Sequence, residues 1–197
     1  MNNLAIFEYG QKETDHLKKR DKKLGKAIDE MGIIEREVNP DIFSSLVSSI
    51  VSQQISSKAA VTIFSRLSAL AGEITPGSIK SLDIESIQKC GMSFKKAGYI
   101  KTAAEADIDF ATLGLLSDKE IIDILTALPG IGLWTVEMLL LFSLSRPDIL
   151  SYNDLAIRRG MMNLYGLEKI TKPDFEKYRK KYSPYGSVAS LYLWELS

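Results

Sequence analysis

The chain has 197 residues, 45% of them hydrophobic, with 25 basic and 25 acidic side chains; that composition can bury one ordinary domain or two small lobes sharing a core, and its neutrality argues against a protein that coats nucleic acid non-specifically. The lone cysteine, Cys90, excludes an internal disulfide framework and a four-cysteine zinc or iron-sulfur site, which makes cytoplasmic residence the default expectation. No apolar run approaches a membrane span, and the N-terminus lacks a basic stretch followed by an apolar one, so neither insertion nor export is indicated.

Taken in chain order, the elements read as helical nearly throughout. From Gln11 to Glu30 bases and acids mix at helical spacing, which predicts a solvated helix without a function of its own; His16, the single histidine, falls there, away from every motif. Asn39-Pro40 predicts a helix start, with a capping residue followed by proline at the first helical position. Phe43, Leu46, Val47, Ile50 and Val51 then repeat at i, i+3, i+4, i+7 and i+8, the pattern of a core-facing helix. Ser52-Gln53-Gln54-Ile55-Ser56 interrupts it with two amides, which reads as a polar turn. Thr75-Pro76 repeats the start signal, and Ser117 with Glu120 forms a capping box ahead of Ile121, Ile124, Leu125 and Leu128. No alternating run bounded by turn residues is found, so the expected fold is all-α.

Charge is distributed in blocks. Ser86 to Ala104 carries Lys89, Lys95, Lys96 and Lys101 and no acid, the stretch to Asn153 is acidic, and bases return from Arg158 onward. Such blocks serve equally as solvated faces or as anion-binding surfaces. The longest apolar stretch, Met138 to Phe142, reads as a buried helix, and Cys90 as buried filler.

Leu128-Pro129-Gly130-Ile131-Gly132-Leu133-Trp134-Thr135 is the most informative segment. It ends one helix, turns tightly through two glycines and enters a second helix. Glycine permits positive φ and close approach by another backbone, and the first-turn amides of the second helix suit an anion, phosphate being the natural guest. Downstream, Asp154 follows Ser151-Tyr152-Asn153 and precedes Leu155-Ala156-Ile157, at or just inside a helix N-terminus, where the macrodipole favours a carboxylate.

The glycine hairpin followed, after a helix, by Asp154 resembles the helix-hairpin-helix Gly/Pro-Asp superfamily of DNA glycosylases, and within it the bacterial 3-methyladenine DNA glycosylase II branch. Separate pieces match in order over roughly residues 40 to 195: Ile50 to Ser56, Leu128 to Glu137, Arg146-Pro147-Asp148, Asp154-Leu155, Arg158-Arg159-Gly160 and Tyr192-Leu193-Trp194. The resemblance implies a two-lobe helical fold with a DNA-facing cleft between the lobes and without an N-terminal β domain. Residues 1–38 would be a helical segment packed on the core, 39–127 a mainly helical lobe, 128–145 the helix-hairpin-helix, and 146–197 the segment carrying the catalytic aspartate and C-terminal helices. It places the catalytic carboxylate at Asp154 and aromatic pocket walls at Trp134 and Trp194. The DNA contacts would come from Gly130, Ile131, Gly132, Thr135, Gln53, the wedge residue Gln54, Lys95 and Arg159. Members that cleave the strand carry a lysine where this chain has Trp134, so hydrolysis without lyase chemistry is expected.

The implied substrate is double-stranded DNA containing alkylated purines, 3-methyladenine and 7-methylguanine first, with the damaged base flipped from the stack. No cofactor is expected for catalysis and no catalytic metal, only a monovalent cation at the hairpin; the protein would be a monomer, cytoplasmic and nucleoid-associated, with no membrane contact. Two departures stand out. Asn153 replaces the acid that usually precedes the aspartate, and Tyr182-Ser183-Pro184-Tyr185-Gly186-Ser187 has glycine where the branch has arginine. Rival readings are a damaged-DNA binder without turnover, a glycosylase for a deaminated or oxidised purine, a bifunctional lyase, and an ordinary helical interaction domain.

Overall fold

The helix starts are written in the caps. The computed structural model describes residues 5–197, and it is all-α apart from two short strands, β1 (Ala5–Ile6) and β2 (Glu37–Val38), which pair antiparallel with Ala5 opposite Val38. The strands are too short to show alternation in the sequence. The helices are α1 (Gln11–Arg20), α2 (Lys22–Met31), α3 (Ile42–Ser52), α4 (Ser57–Ala71), α5 (Pro76–Ser81), α6 (Ile84–Lys89), α7 (Phe94–Glu105), α8 (Asp118–Thr126), α9 (Leu133–Phe142), α10 (Leu155–Tyr165), α11 (Lys172–Tyr182) and α12 (Gly186–Glu195). Thr75 and Ser117 cap α5 and α8, as the sequence predicts, each in a capping box although the sequence pattern predicts one only at Ser117, and Ser56, Asp83, Ser93 and Thr171 cap α4, α6, α7 and α11. Each cap satisfies an amide that the first helical turn leaves without an intrahelical partner.

Two compact units result. One joins the two ends of the chain, residues up to Pro40 with Leu140–Ser197; the other is Asp41–Leu139. In the first, α12 is the hub: every residue from Gly186 to Leu193 is buried, with α1, α2, α10 and α11 packed around it. Its two buried serines are satisfied, Ser190 donating to the Ile149 carbonyl at 2.8 Å and Ser187 accepting from the Ile149 amide at 2.9 Å. The N-terminal segment is not the single solvated helix that its charges suggest. It breaks at Asp21 into α1 and α2 and buries Thr14, Leu17, Leu24, Ala27 and Ile28. Asp21 caps α2 through the amides of Lys23 and Leu24, and its carboxylate also accepts from Lys181 Nζ at 2.6 Å and from the Tyr165 hydroxyl. Burial opposes the charge on Asp21, yet those bonds outweigh it and hold the carboxyl below its ordinary range.

In the second unit α3 presents the expected face: Phe43, Leu46, Val47, Ile50 and Val51 are all buried, a gross burial of roughly 8–15 kcal/mol at about 1.5–3 kcal/mol each. Its start lies two residues later than the Asn39-Pro40 signal. Asp41 is the cap, accepting from the Ser44 amide at 2.9 Å, whereas the Asn39 amide donates to the Phe142 carbonyl.

Candidate active site and phosphate-binding hairpin

The hairpin between α8 and α9 closes through the Ile131 amide, which donates to the Leu128 carbonyl at 3.2 Å. The two glycines do different work. Gly130 has φ +81°, and a Cβ there would lie 2.2 Å from Cδ2 of Tyr99, so the turn rests directly on that ring. Gly132 is exposed, and a Cβ added to it would have nothing within 4 Å. It stands at the mouth of α9, where first-turn amides have no intrahelical acceptor and suit an anion. Leu133 and Trp134 are exposed beside it, Trp134 at 44%. Ile131 and Thr135, both expected at the DNA interface, have buried side chains, at 6% and 5%; their side chains shape the turn from below and do not reach its surface.

The turn after α3 is tied to this hairpin. Gln53 Nε2 donates to the Gly130 carbonyl at 3.0 Å, and Gln54, at φ +57°, is exposed next to the exposed Ile55. Lys96 clamps the same turn from α7, its Nζ donating to the carbonyls of Val51 at 2.8 Å and Gln53 at 2.5 Å. Desolvation holds the Lys96 amine below its ordinary pKa. One turn on, Tyr99 supports Gly130, and the exposed Lys95 ammonium lies 5.8 Å from its ring centroid. Helix α7 thus braces both projecting turns. The sequence marks Lys96 only as part of a basic segment suited to anions and does not single out Tyr99; their i, i+3 spacing inside an acid-free segment was the available signal for a bracing role.

Asp154 is the N-cap of α10 and is buried, at 7% exposure. Its Oδ1 accepts from the Ile157 amide at 2.9 Å and from Trp194 Nε1 at 3.2 Å, so the carboxylate is oriented from two directions. Trp194 is half-buried and stacks on Phe142, with centroids 5.4 Å apart. What brings Trp194 within reach is Gly160. A Cβ there would lie 1.9 Å from the Leu193 carbonyl oxygen, so α10 and α12 pack closely only because residue 160 has no side chain. The cap of α10 and the carboxylate expected to be catalytic are thus the same side chain.

The basic candidates separate. Lys101 donates to the carbonyls of Lys80 and Leu82, both at 2.6 Å, and Lys177, Arg179 and Lys181 pair with Asp174, Glu176 and Asp21; these are structural contacts. Arg158 lies over the Tyr152 ring, while Arg159 is exposed on α10. Gly186, where the arginine was missing, is buried: its amide donates to Asp148 Oδ1 at 3.0 Å, and a Cβ would meet that oxygen at 2.8 Å. This position therefore serves the seat of α12. Asn153 is exposed. Among the described residues no group of three His, Cys, Asp or Glu side chains is placed to hold a metal. A monovalent cation at the hairpin would have to share carbonyls that already accept from Ile131, Gln53 and Val136.

A family model described as HhH-GPD superfamily base excision DNA repair protein matches residues 47–184. The chain belongs to this superfamily. Among curated HhH-GPD relatives it is 40% identical over 168 residues to DNA-3-methyladenine glycosylase 1 of Schizosaccharomyces pombe, covering 79% of this chain and 72% of that one. The DNA-3-methyladenine glycosidase structure from Bacillus halodurans superposes with a TM-score of 0.86 at 35% identity, covering 97% of this chain and 91% of that one. The S. pombe 3-methyladenine DNA glycosylase in complex with abasic DNA gives 0.81 at 34% identity, covering 94% and 96%.

Proposed function

We propose that this protein is a monofunctional DNA glycosylase of base excision repair that hydrolyses the N-glycosidic bond of alkylated purines, 3-methyladenine and 7-methylguanine first, in double-stranded DNA. The observation that carries the reading is the buried Asp154 carboxylate fixed by the Ile157 amide and Trp194 Nε1. As the bond from C1′ to the base nitrogen breaks, its electron pair leaves with the base and positive charge develops on the sugar. A fixed carboxylate stabilises that charge and orients a water, which adds to C1′ and loses a proton. The products are a free base and an abasic site. An alkylated purine is already cationic, so it leaves as a neutral base and gains from facing an electron-rich ring such as Trp194 or Trp134.

Trp134 occupies the position at which strand-cleaving members carry lysine, which supports water as the nucleophile. Gln54, exposed at the tip of its turn, would fill the gap left by the flipped nucleotide, and the hairpin would hold phosphate at Gly132. The enzyme would act as a cytoplasmic, nucleoid-associated monomer; no step calls on a cofactor or on the hairpin cation. Chromatography of bases released from methylated duplex DNA tests the reading, with sodium borohydride trapping alongside. Free 3-methyladenine or 7-methylguanine without a trapped covalent complex is expected. A trapped complex would replace it with the lyase reading, and tight binding to abasic DNA without release would replace it with the non-catalytic one.

A further inference from the structure

The geometry points to a second phosphodiester-binding groove along α4, separate from the hairpin and continuous with the Gln54 turn. It is a groove of about 360 Å³ lined by Ser56, Lys58, Thr62, Ile63, Arg66 and Gly91. Lys58, Thr62 and Arg66 fall at i, i+4 and i+8, on one face of the helix, and all three are exposed. Gly91, at φ +115°, forms the facing wall; a Cβ there would lie 3.3 Å from Ile63 and 3.4 Å from Arg66 Nη1, so a side chain would crowd the groove. Arg66 Nη1 makes one long hydrogen bond, 3.4 Å, to the Cys90 carbonyl.

Electrostatics single this groove out in a chain of zero formal charge. No Asp or Glu occurs from Ile42 to Gly72 or from Ser86 to Ala104, and the groove lies where these two acid-free segments meet. Elsewhere, Lys18, Lys26, Lys101, Lys119, Lys177, Arg179 and Lys181 pair with carboxylates. Neither Lys58 nor Arg66 is paired with a carboxylate among the described residues. Two cations with hydroxyls at Ser56 and Thr62 between and beside them, in a groove walled by backbone, suit a run of phosphate oxygens. Eight helical residues rise about 12 Å at 1.5 Å each, roughly three steps of duplex at about 3.4 Å. Ser56 follows the wedge residue Gln54 by two positions, so a strand opened at that turn would continue onto α4.

The inference rests on the reading that the ligand is duplex DNA, but not on turnover. Its test is therefore binding of the full-length protein to a duplex with an abasic-site analogue, and to the same duplex undamaged, from 50 to 200 mM salt. In Lys58→Gln/Arg66→Gln the slope of log affinity against log salt should become shallower by roughly 1.8, two phosphates at about 0.9 each. At the low-salt end affinity should drop on the order of tenfold, on both duplexes alike. A control that removes two paired surface cations, Lys119→Gln/Lys177→Gln, should change the slope little. Thermal melts establish that the groove variant is folded. An unchanged slope overturns the proposal, and so does a loss of affinity equal at all salt concentrations. Wild-type protein that binds with the steep slope yet releases no base would leave the groove standing and remove the glycosylase reading.

Discussion

Replacing Gly160 with alanine should damage the site without touching any residue in it. The added Cβ would lie 1.9 Å from the Leu193 carbonyl oxygen and 2.8 Å from its carbon. Restoring an ordinary contact of roughly 3.5 Å requires α10 and α12 to part by about 1.6 Å at that point. The obstacle is main chain, which cannot rotate aside as a side chain would. Leu193 precedes Trp194, so the indole Nε1, 3.2 Å from Asp154 Oδ1, moves out of hydrogen-bonding range. Alanine recovers about 1 kcal/mol of helix propensity, whereas overpacking a close helix contact costs about 3 kcal/mol, leaving a net destabilisation of about 2 kcal/mol. A displacement near 1 Å in a catalytic constellation costs on the order of a hundredfold in rate. Urea unfolding measures the first effect and single-turnover base release the second. If Gly160→Ala unfolds within about 0.5 kcal/mol of wild type and releases base at the wild-type rate, the close helix approach does not set the site.

The two hairpin glycines should respond oppositely to alanine. Gly130→Ala meets Tyr99 and a positive φ and should lower the melting temperature by several degrees; Gly132→Ala should leave it unchanged yet weaken DNA binding about tenfold or more by intruding where phosphate approaches, read by calorimetry and fluorescence anisotropy. Lys96→Met removes the clamp on the Val51 and Gln53 carbonyls, and should reduce fluorescence-detected base flipping more than binding to DNA that is already abasic. Equal losses would make Lys96 a general stability contact. Asp21, whose folded carboxyl titrates below its ordinary value, should add stability that is complete above about pH 4, the unfolded range, and disappears as pH falls through the lower folded value. Thermal melts from pH 7 to pH 3 should show wild type losing more stability than Asp21→Asn, and parallel curves would rule the network out as the source.

Much of the scaffold was legible because its signals are local. Thr75, Ser117 and the apolar face of α3 are read within one or two helical turns, and the family motifs located the hairpin and Asp154. What escaped depends on partners distant in sequence. The α1–α2 break follows from Asp21 meeting Lys181 and Tyr165, and a charge-rich segment conceals the few apolar positions that hold it in the core. The cap of α3 moved to Asp41 while the Asn39 amide was taken by Phe142. Lysines 96 and 101, indistinguishable in sequence from solvated charges, turned out to clamp carbonyl groups, and the reason for glycine at 160 exists only in the carbonyl of Leu193.

Asp154→Asn is the substitution that isolates the central claim, since asparagine is also a good N-cap and its side-chain oxygen can still accept from Ile157 and Trp194, so fold and DNA affinity should persist while the negative charge is lost. The decisive measurement is single-turnover release of 3-methyladenine from methylated duplex DNA by wild type and Asp154→Asn at matched DNA occupancy. A rate lower by about a hundredfold or more, with abasic-DNA affinity within a few-fold of wild type, is the predicted result; wild-type turnover by Asp154→Asn would contradict the assignment of Asp154 as the group that stabilises the charged sugar.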